Sequence, residues 1–479
     1  MQTRSRHLAT NWAFSQRLLL LAFIVCSALA GAACLWQLPA LAGSGPAPAG
    51  PPTPGELDLS FGDNGTFTTT VASDNASLAG AFTHGEDTTI LVINTERPEG
   101  INTSAINIAV TNADMAPITI SQQITTGVSS VARTAAQQAD GKIVIVGETA
   151  DAQGRSVLVA RVGPDGLLDE NFGTAGVFTS TMLDFGAGIA VQSDGQIIVT
   201  GSTFNGGTGE DIAAFRLDDS GQIDTSFGSN GLATITVTNG TDRAHDVAIT
   251  SQNLIMVVGQ SASASGVGDD LAVVSFTESG QPNPNFGAGG FITRTVGFMF
   301  TDFSAALDEQ QGRIVVAGST APDFPPTTAY MHIDSFTLSG QADPTFSDDG
   351  VLTVTVGLAS LASAIEIDDN SNLLISGASF NGSESPQGGS AAFTMIRLQP
   401  NGTLDPTFAT NGIQVTDLGP TYDFANAIFR LNGYIYLGGQ ADQLPGPGPG
   451  RLVVAFARYF GDPAGNPENY RLFLPIAVR

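Results

Sequence analysis

The stretch GKIVIVGETADAQGRSVLVARVGPDGLLDENFGTAG at residues 141–176 decides the architecture, because both of its ends recur along the chain. The C-terminal end, LDENFGTAG (168–176), returns as LDLSFGDNG (57–65), IDTSFGSNG (223–231), PNPNFGAGG (282–290), ADPTFSDDG (342–350) and LDPTFATNG (404–412). Its phenylalanines, Phe61, Phe172, Phe227, Phe286, Phe346 and Phe408, are spaced by 111, 55, 59, 60 and 62 residues. The doubled first gap predicts an eroded copy near 114–126 (DMAPITISQQITT). The N-terminal end recurs seven times: TTILVINTE (88–96), GKIVIVGET (141–149), GQIIVTGST (195–203), NLIMVVGQS (253–261), GRIVVAGST (312–320), NLLISGAS (372–379) and GYIYLGGQ (433–440). Short β-branched runs preceded by polar turns are strands. A fixed period of this length marks a repeat architecture.

Another strand follows each of these across a variable Gly/Ser/Pro loop, as in SVLVARV (156–162), DIAAFRL (211–217) and AAFTMIRL (391–398). In the sixth copy the unit reads as four strands, near 361–367, 372–379, 391–398 and 412–418. After the N-terminal segment no 3.6-residue apolar period is sustained, so very little helix is expected. Repeated four-stranded units predict an all-β, seven-bladed β-propeller; a sandwich would need about seven strands per core. The seventh unit supplies strands near 424–430, 433–440 and 452–459, then stops at Gly461-Asp462-Pro463. Its missing fourth strand stands at the other end of the propeller sequence, FGDNGTFTTTV (61–71). Pairing the two closes the last blade and removes an open edge.

The patterns G-x-L-D-x-x-F-G-x-x-G (166–176) and G-K-I-x-V-x-G (141–147) resemble the delta-60 repeat family of extracellular bacterial β-propellers. The resemblance covers residues 55–462 and implies fold and location. It assigns no catalytic residue. Ser347 and Ala409 depart from the pattern by replacing the Gly after Phe.

Residues 1–42 form a separate object. They carry Arg4, Arg6 and Arg17 and no acid, then an apolar run from Leu18 to about Leu35, and end in Ala40-Leu41-Ala42. That is the order of a secretory signal peptide; a retained anchor is the alternative, since the run could just span a bilayer. A third reading lipidates Cys34, although Gly31 stands where a lipobox has Leu. Both cysteines, Cys26 and Cys34, lie in this segment, so a cleaved chain would hold no disulfide and no thiolate. Residues 43–54 (GSGPAPAGPPTP) read as a Pro/Gly linker. Residues 463–479 form a tail whose YRLFLPIAVR (470–479) resembles the short ends of many secreted bacterial proteins. Export or attachment, and an added strand on the propeller exterior, are both open for it. The balance of 18 basic against 45 acidic residues, with one lysine (Lys142), argues against nucleic-acid partners and anionic membrane surfaces.

The motif residues have a structural explanation. Asp58, Asp169, Asp224, Asp343 and Asp405 stand where an Asx-turn forms, and the six phenylalanines suit packing between blades. No copy matches a calcium-loop spacing. A second regularity aligns Asp74, Ser130, Asp184, Asp242, Asp302, Ser360 and Asp423 at the start of the innermost strands. Either these are seven turn caps, or the five carboxylates form a channel-mouth site for a hard cation such as Ca²⁺. His245, near Asp242, Arg243 and Asp246, could join a site there. No nucleophile elbow, zincin motif or phosphate loop occurs, so no catalytic residue or cofactor is assigned. The sequence leads to the expectation of a monomeric, secreted or cell-surface scaffold that binds a protein or glycan. A Ca²⁺-dependent hydrolase or lyase at the channel mouth is the alternative.

Overall fold

The computed structural model describes residues 52–462 apart from 72–74, 86, 97–103, 153, 205, 208, 264–265, 267, 323–327, 382–389, 420–422 and 444–450. The leader (1–42), most of the linker and the tail (463–479) lie outside the described residues. Twenty-eight strands form seven sheets of four. Blade 1 is Asn75–His84, Thr88–Glu96, Ser104–Thr111 and Thr119–Ile124; blade 2 is Ser129–Gln137, Ile143–Asp151, Gly154–Val162 and Val177–Ser180. Blade 3 is Phe185–Val191, Ile197–Phe204, Glu210–Leu217 and Leu232–Ile235; blade 4 is Arg243–Ile249, Ile255–Ala262, Asp269–Phe276 and Phe291–Thr295. Blade 5 is Phe298–Asp308, Arg313–Ala321, Tyr330–Thr337 and Val351–Val354; blade 6 is Ala359–Ile367, Leu373–Asn381, Ser390–Leu398 and Ile413–Thr416. Blade 7 takes Asp423–Leu431, Tyr434–Gln443 and Arg451–Phe460 from the C-terminal side and Thr66–Thr69 from the N-terminal side.

The N-terminal strand pairs antiparallel with the last one, from Thr66 opposite Ala457 to Thr69 opposite Val454. The eroded second copy supplies the fourth strand of blade 1, and Met115 is buried beside Phe61 in the core there. Apart from that closing pair all pairings are between consecutive strands, and the first strands of neighbouring blades pack against one another around the whole ring.

The core is divided among the joints between blades. Second strands such as Arg313–Ala321 are buried along their whole length, because each sheet is covered on both faces and so reads as a continuous apolar run rather than an alternating one. Phe172 lies with Val144, Val199 and Phe215 between blades 2 and 3, and Phe408 with Leu374, Phe393 and Leu437 between blades 6 and 7. Burying each such ring stabilises by roughly 2 kcal/mol.

Every innermost strand carries a register shift, for example between Ala132 and Thr134 and between Ala362 and Ala364. A bulge leaves backbone groups outside the ladder, and buried ones need partners. The preceding blade supplies them: Asn94 holds the Ala132 N–H and C=O at 2.8 and 2.9 Å, and Ser319 accepts from the Ala362 N–H at 2.7 Å. Across the closing joint, Asn426 donates to the Leu78 carbonyl at 3.4 Å.

Candidate functional site

The two ends of the ring differ. One end, here the latch face, carries the turns between strands 1 and 2 and the Phe motif between strands 3 and 4. The other, the loop face, carries the strand 2–3 loops and the connections from one blade to the next.

On the latch face each motif Asp forms the expected Asx-turn. Oδ1 of Asp58, Asp169, Asp224, Asp343 and Asp405 accepts the N–H two residues on at 2.9–3.1 Å. The other oxygen has a partner that the motif did not reveal. Asp405 Oδ2 receives Nε and Nη2 of Arg397 at 2.8 and 2.7 Å, and the guanidinium lies 4.4 Å over the Phe408 ring. Arg161 with Asp169 and Phe172, Arg216 with Asp224 and Phe227, and Arg458 with Asp58 and Phe61 repeat this. Nη1 then reaches the neighbouring blade or chain end: Arg161 to Asp219, Arg216 to the Glu278 carbonyl, Arg397 to Asp462 and Arg458 to Asp114. The signal was present in the sequence: in three copies Arg stands eight residues before Asp (161/169, 216/224, 397/405).

The motif glycine closes the latch from the neighbour's side. A Cβ on Gly55 would lie 2.6 Å from the Phe408 ring, and one on Gly221 2.9 Å from Phe172. The residue after Phe172, Phe227, Phe286, Phe346 and Phe408 donates to the same turn, as in Gly173 to the Ser220 carbonyl (2.8 Å) and Ala409 to that of Pro54 (2.7 Å). Ser347 and Ala409 keep the left-handed conformation of the glycines they replace, at φ 47° and 43°. At Asp58, Asp169, Asp343 and Asp405 burial pushes the carboxyl up, but turn hydrogen bonds and the Arg more than offset it; at Asp224 the Ser226 hydroxyl leads. All five stand below the usual carboxylate value.

Blades 4 and 5 depart from this. In blade 4 the Arg and Asp positions are Ser275 and Asn283, joined at 3.0 Å. The joint to blade 5 is instead tied by Arg294 to Asp334 (3.2 Å), with His332 on the other oxygen at 2.8 Å. In blade 5 Ser335 and Asp343 remain bonded, and Arg313 of the second strand supplies the guanidinium.

On the loop face, Ser130, Asp242, Ser360 and Asp423 are fully buried, and each holds backbone N–H groups of its own connection. Asp242 Oδ2 accepts from Val237 and Thr238, while Oδ1 takes the Thr238 hydroxyl. Asp184 is exposed and holds the Phe204 N–H. Asp74 and the Asp302 side chain lie outside the described residues. Burial raises Asp242, and takes Asp423 to about 7. Among the described residues no three His, Cys, Asp or Glu side chains are gathered as for a metal ion. His245 sits in the blade 4 bulge. Its Nδ1 accepts the Phe303 N–H at 3.0 Å, so Nε2 carries the proton and donates to Gln260 at 3.1 Å. His332 is buried on the third strand of blade 5.

The backbone lengths separate the faces further. Fourteen residues join strands 3 and 4 in blades 2, 3, 4 and 6 (163–176, 218–231, 277–290 and 399–412), whereas strand 2–3 loops run from two residues (152–153) to eight (322–329). The loop face also exposes Val128, Phe204 and Leu358 by 57, 51 and 68%.

A family model described as "Domain of unknown function (DUF5122) beta-propeller" matches residues 138–172, 192–227 and 374–408. Each match runs from a strand 1–2 turn, or the strand after it, to a motif Phe. No curated protein sequence matches the chain. Among solved structures, the NanB sialidase of Streptococcus pneumoniae is similar at 12% identity and a TM-score of 0.40, covering 82% of this chain and 70% of that one. The acylaminoacyl peptidase of Pyrococcus horikoshii is similar at 11% and 0.40, covering 79% and 51%. The GH93 alpha-L-arabinofuranosidase of Fusarium graminearum is similar at 9% and 0.36, covering 82% and 98%.

Proposed function

We propose that the chain is a secreted or cell-surface binding module that engages a protein or glycan through its loop face, with the latch face as its rigid frame. The contrast in connection length carries this reading. The turns that lock blades together keep one length in four blades and differ by a single residue in blade 5 (338–350), while the loops opposite vary from two residues to eight over a fixed scaffold, the usual arrangement of recognition surfaces. The bonding of the polar groups supports a scaffold rather than a reaction centre: the latch carboxylates serve turns and guanidiniums, and His245 serves a bulge.

The test is a screen of chain 43–479 against immobilised glycans and cell-surface proteins, with and without calcium. Replacing residues 205–209 by a Gly/Ser segment should abolish a hit while leaving the melting temperature within about 2 °C, a shift small enough to mean an intact fold. Calcium-dependent turnover of a glycan that is lost in Asp242→Asn would favour the hydrolase or lyase reading instead.

A further inference from the structure

The capping position is satisfied differently at the start of blades 4 and 7. Asp242 is complete, because the Thr238 hydroxyl donates to Oδ1 at 2.7 Å. Asp423 likewise gives Oδ2 to two N–H groups, Leu418 at 2.7 Å and Gly419 at 3.1 Å. The residue aligned with Thr238, four before the cap, is here Gly419, which has no hydroxyl. Oδ1 of Asp423 is fully buried and has no donor among the described residues. A second carboxylate meets it, for the same Gly419 N–H also donates to Asp417 Oδ1 at 3.1 Å. Among the described residues no Lys or Arg forms an ion pair with either one.

Two carboxylates on one N–H, one of them buried, cannot both stay ionised cheaply. We propose that Asp417 and Asp423 share a single proton, carried on Asp423 Oδ1 and donated to Asp417. The added O–H does at the entry to blade 7 what the Thr238 hydroxyl does at the entry to blade 4. The pair then carries one negative charge, which makes this loop-face joint a pH-sensitive element of the ring. The inference does not depend on the binding role proposed above. Burial first, and Asp417 second among the influences that raise it, push the Asp423 carboxyl up to about 7. The described charged groups on the elements around it are Asp417 on the connection and Asp442 on the adjacent strand, both acids.

The sign follows from proton binding. With its folded-state value raised, Asp423 holds its proton through a range, from about pH 4 to about 7, where the unfolded chain has released it. Its contribution is therefore complete below about pH 4 and is lost as pH rises through about 7.

Equilibrium unfolding of the full chain should be followed from pH 5 to pH 8 for wild type, Asp423→Asn, Asp417→Asn and Gly419→Ser. The ratio of the wild-type to the D423N unfolding constant is expected to rise on the order of 10- to 100-fold across this range. G419S supplies a hydroxyl at the site of the Thr238 side chain and should flatten the dependence. D417N should flatten it as well, and it stands in if D423N does not fold. Carbon-13 carboxyl shifts should show a step near neutrality in wild type that D423N lacks. Parallel pH curves for wild type and D423N would overturn the proposal. So would a slope that appears only in EDTA and vanishes in excess calcium, since that is the behaviour of a bound cation.

Discussion

In blade 6, a buried Arg397–Asp405 pair over Phe408 fixes the turn that meets blade 7. In blade 4 the same positions are Ser275 and Asn283, over an equally buried Phe286. The backbone does not register the difference: Ala409 donates to Pro54 in one joint and Gly287 to Ser339 in the other. The comparison teaches that the turn, its Phe and the neighbour's backbone make the joint, and that the charges can change only together. Losing one member of a buried pair strands the other, which costs about 3–5 kcal/mol, whereas a matched neutral pair is tolerated. Blade 4 then regains an inter-blade ion pair elsewhere, through Arg294 and Asp334.

Breaking the comparison at its charged end gives the largest effect. Arg397→Ala should lower unfolding stability by about 3–5 kcal/mol in chemical denaturation, because Asp405 is left buried. Ser275→Ala in blade 4 should cost only about 1 kcal/mol, one neutral hydrogen bond. Equal costs would mean that the guanidinium contributes no more than the hydroxyl.

The shared part of the joint predicts a smaller effect. Gly402 (φ 83°) packs on Phe346, so an added Cβ would sit 3.0 Å from the ring; Gly195 (φ 88°) has nothing within 4 Å. Alanine at either site meets the same backbone strain, about 1 kcal/mol. Gly402→Ala should lose a further 1–2 kcal/mol or so through overpacking, read as a lower denaturation midpoint.

The smallest effect is the most specific. The five latch aspartates lie below the usual carboxylate value when folded, so each contributes stability present above about pH 4 and lost as pH falls through its folded value. Blade 4 has no such carboxylate. An Arg397→Ser/Asp405→Asn double variant, a copy of blade 4 in blade 6, should therefore lose less than wild type between pH 6 and pH 3. A gap that stays constant with pH would rule out a charge-dependent latch.

Much of this was legible in the sequence. Repeat spacing and strand count gave seven blades, and the surplus strand at 61–71 gave the closure. The Asx-turns followed from Asp and the residue types after it. The arginines are hard to read from the sequence because they lie on strand 3, outside the repeated motif, and because Ser275 and Ser335 take their place in two copies. His245 looked like a site residue by its neighbours Asp242 and Asp246. Its partner is a backbone N–H 58 residues away, and a bulge that needs such a partner has no local sequence mark.

The closing joint tests the account most directly, since Asp58 and Arg458 are 400 residues apart and meet only if the ring shuts as described. A double-mutant cycle with Asp58→Asn and Arg458→Ser, read by equilibrium unfolding, should give a coupling of about 2 kcal/mol. Single-variant losses that simply add, within about 0.5 kcal/mol, would contradict a charge-paired latch at the seam.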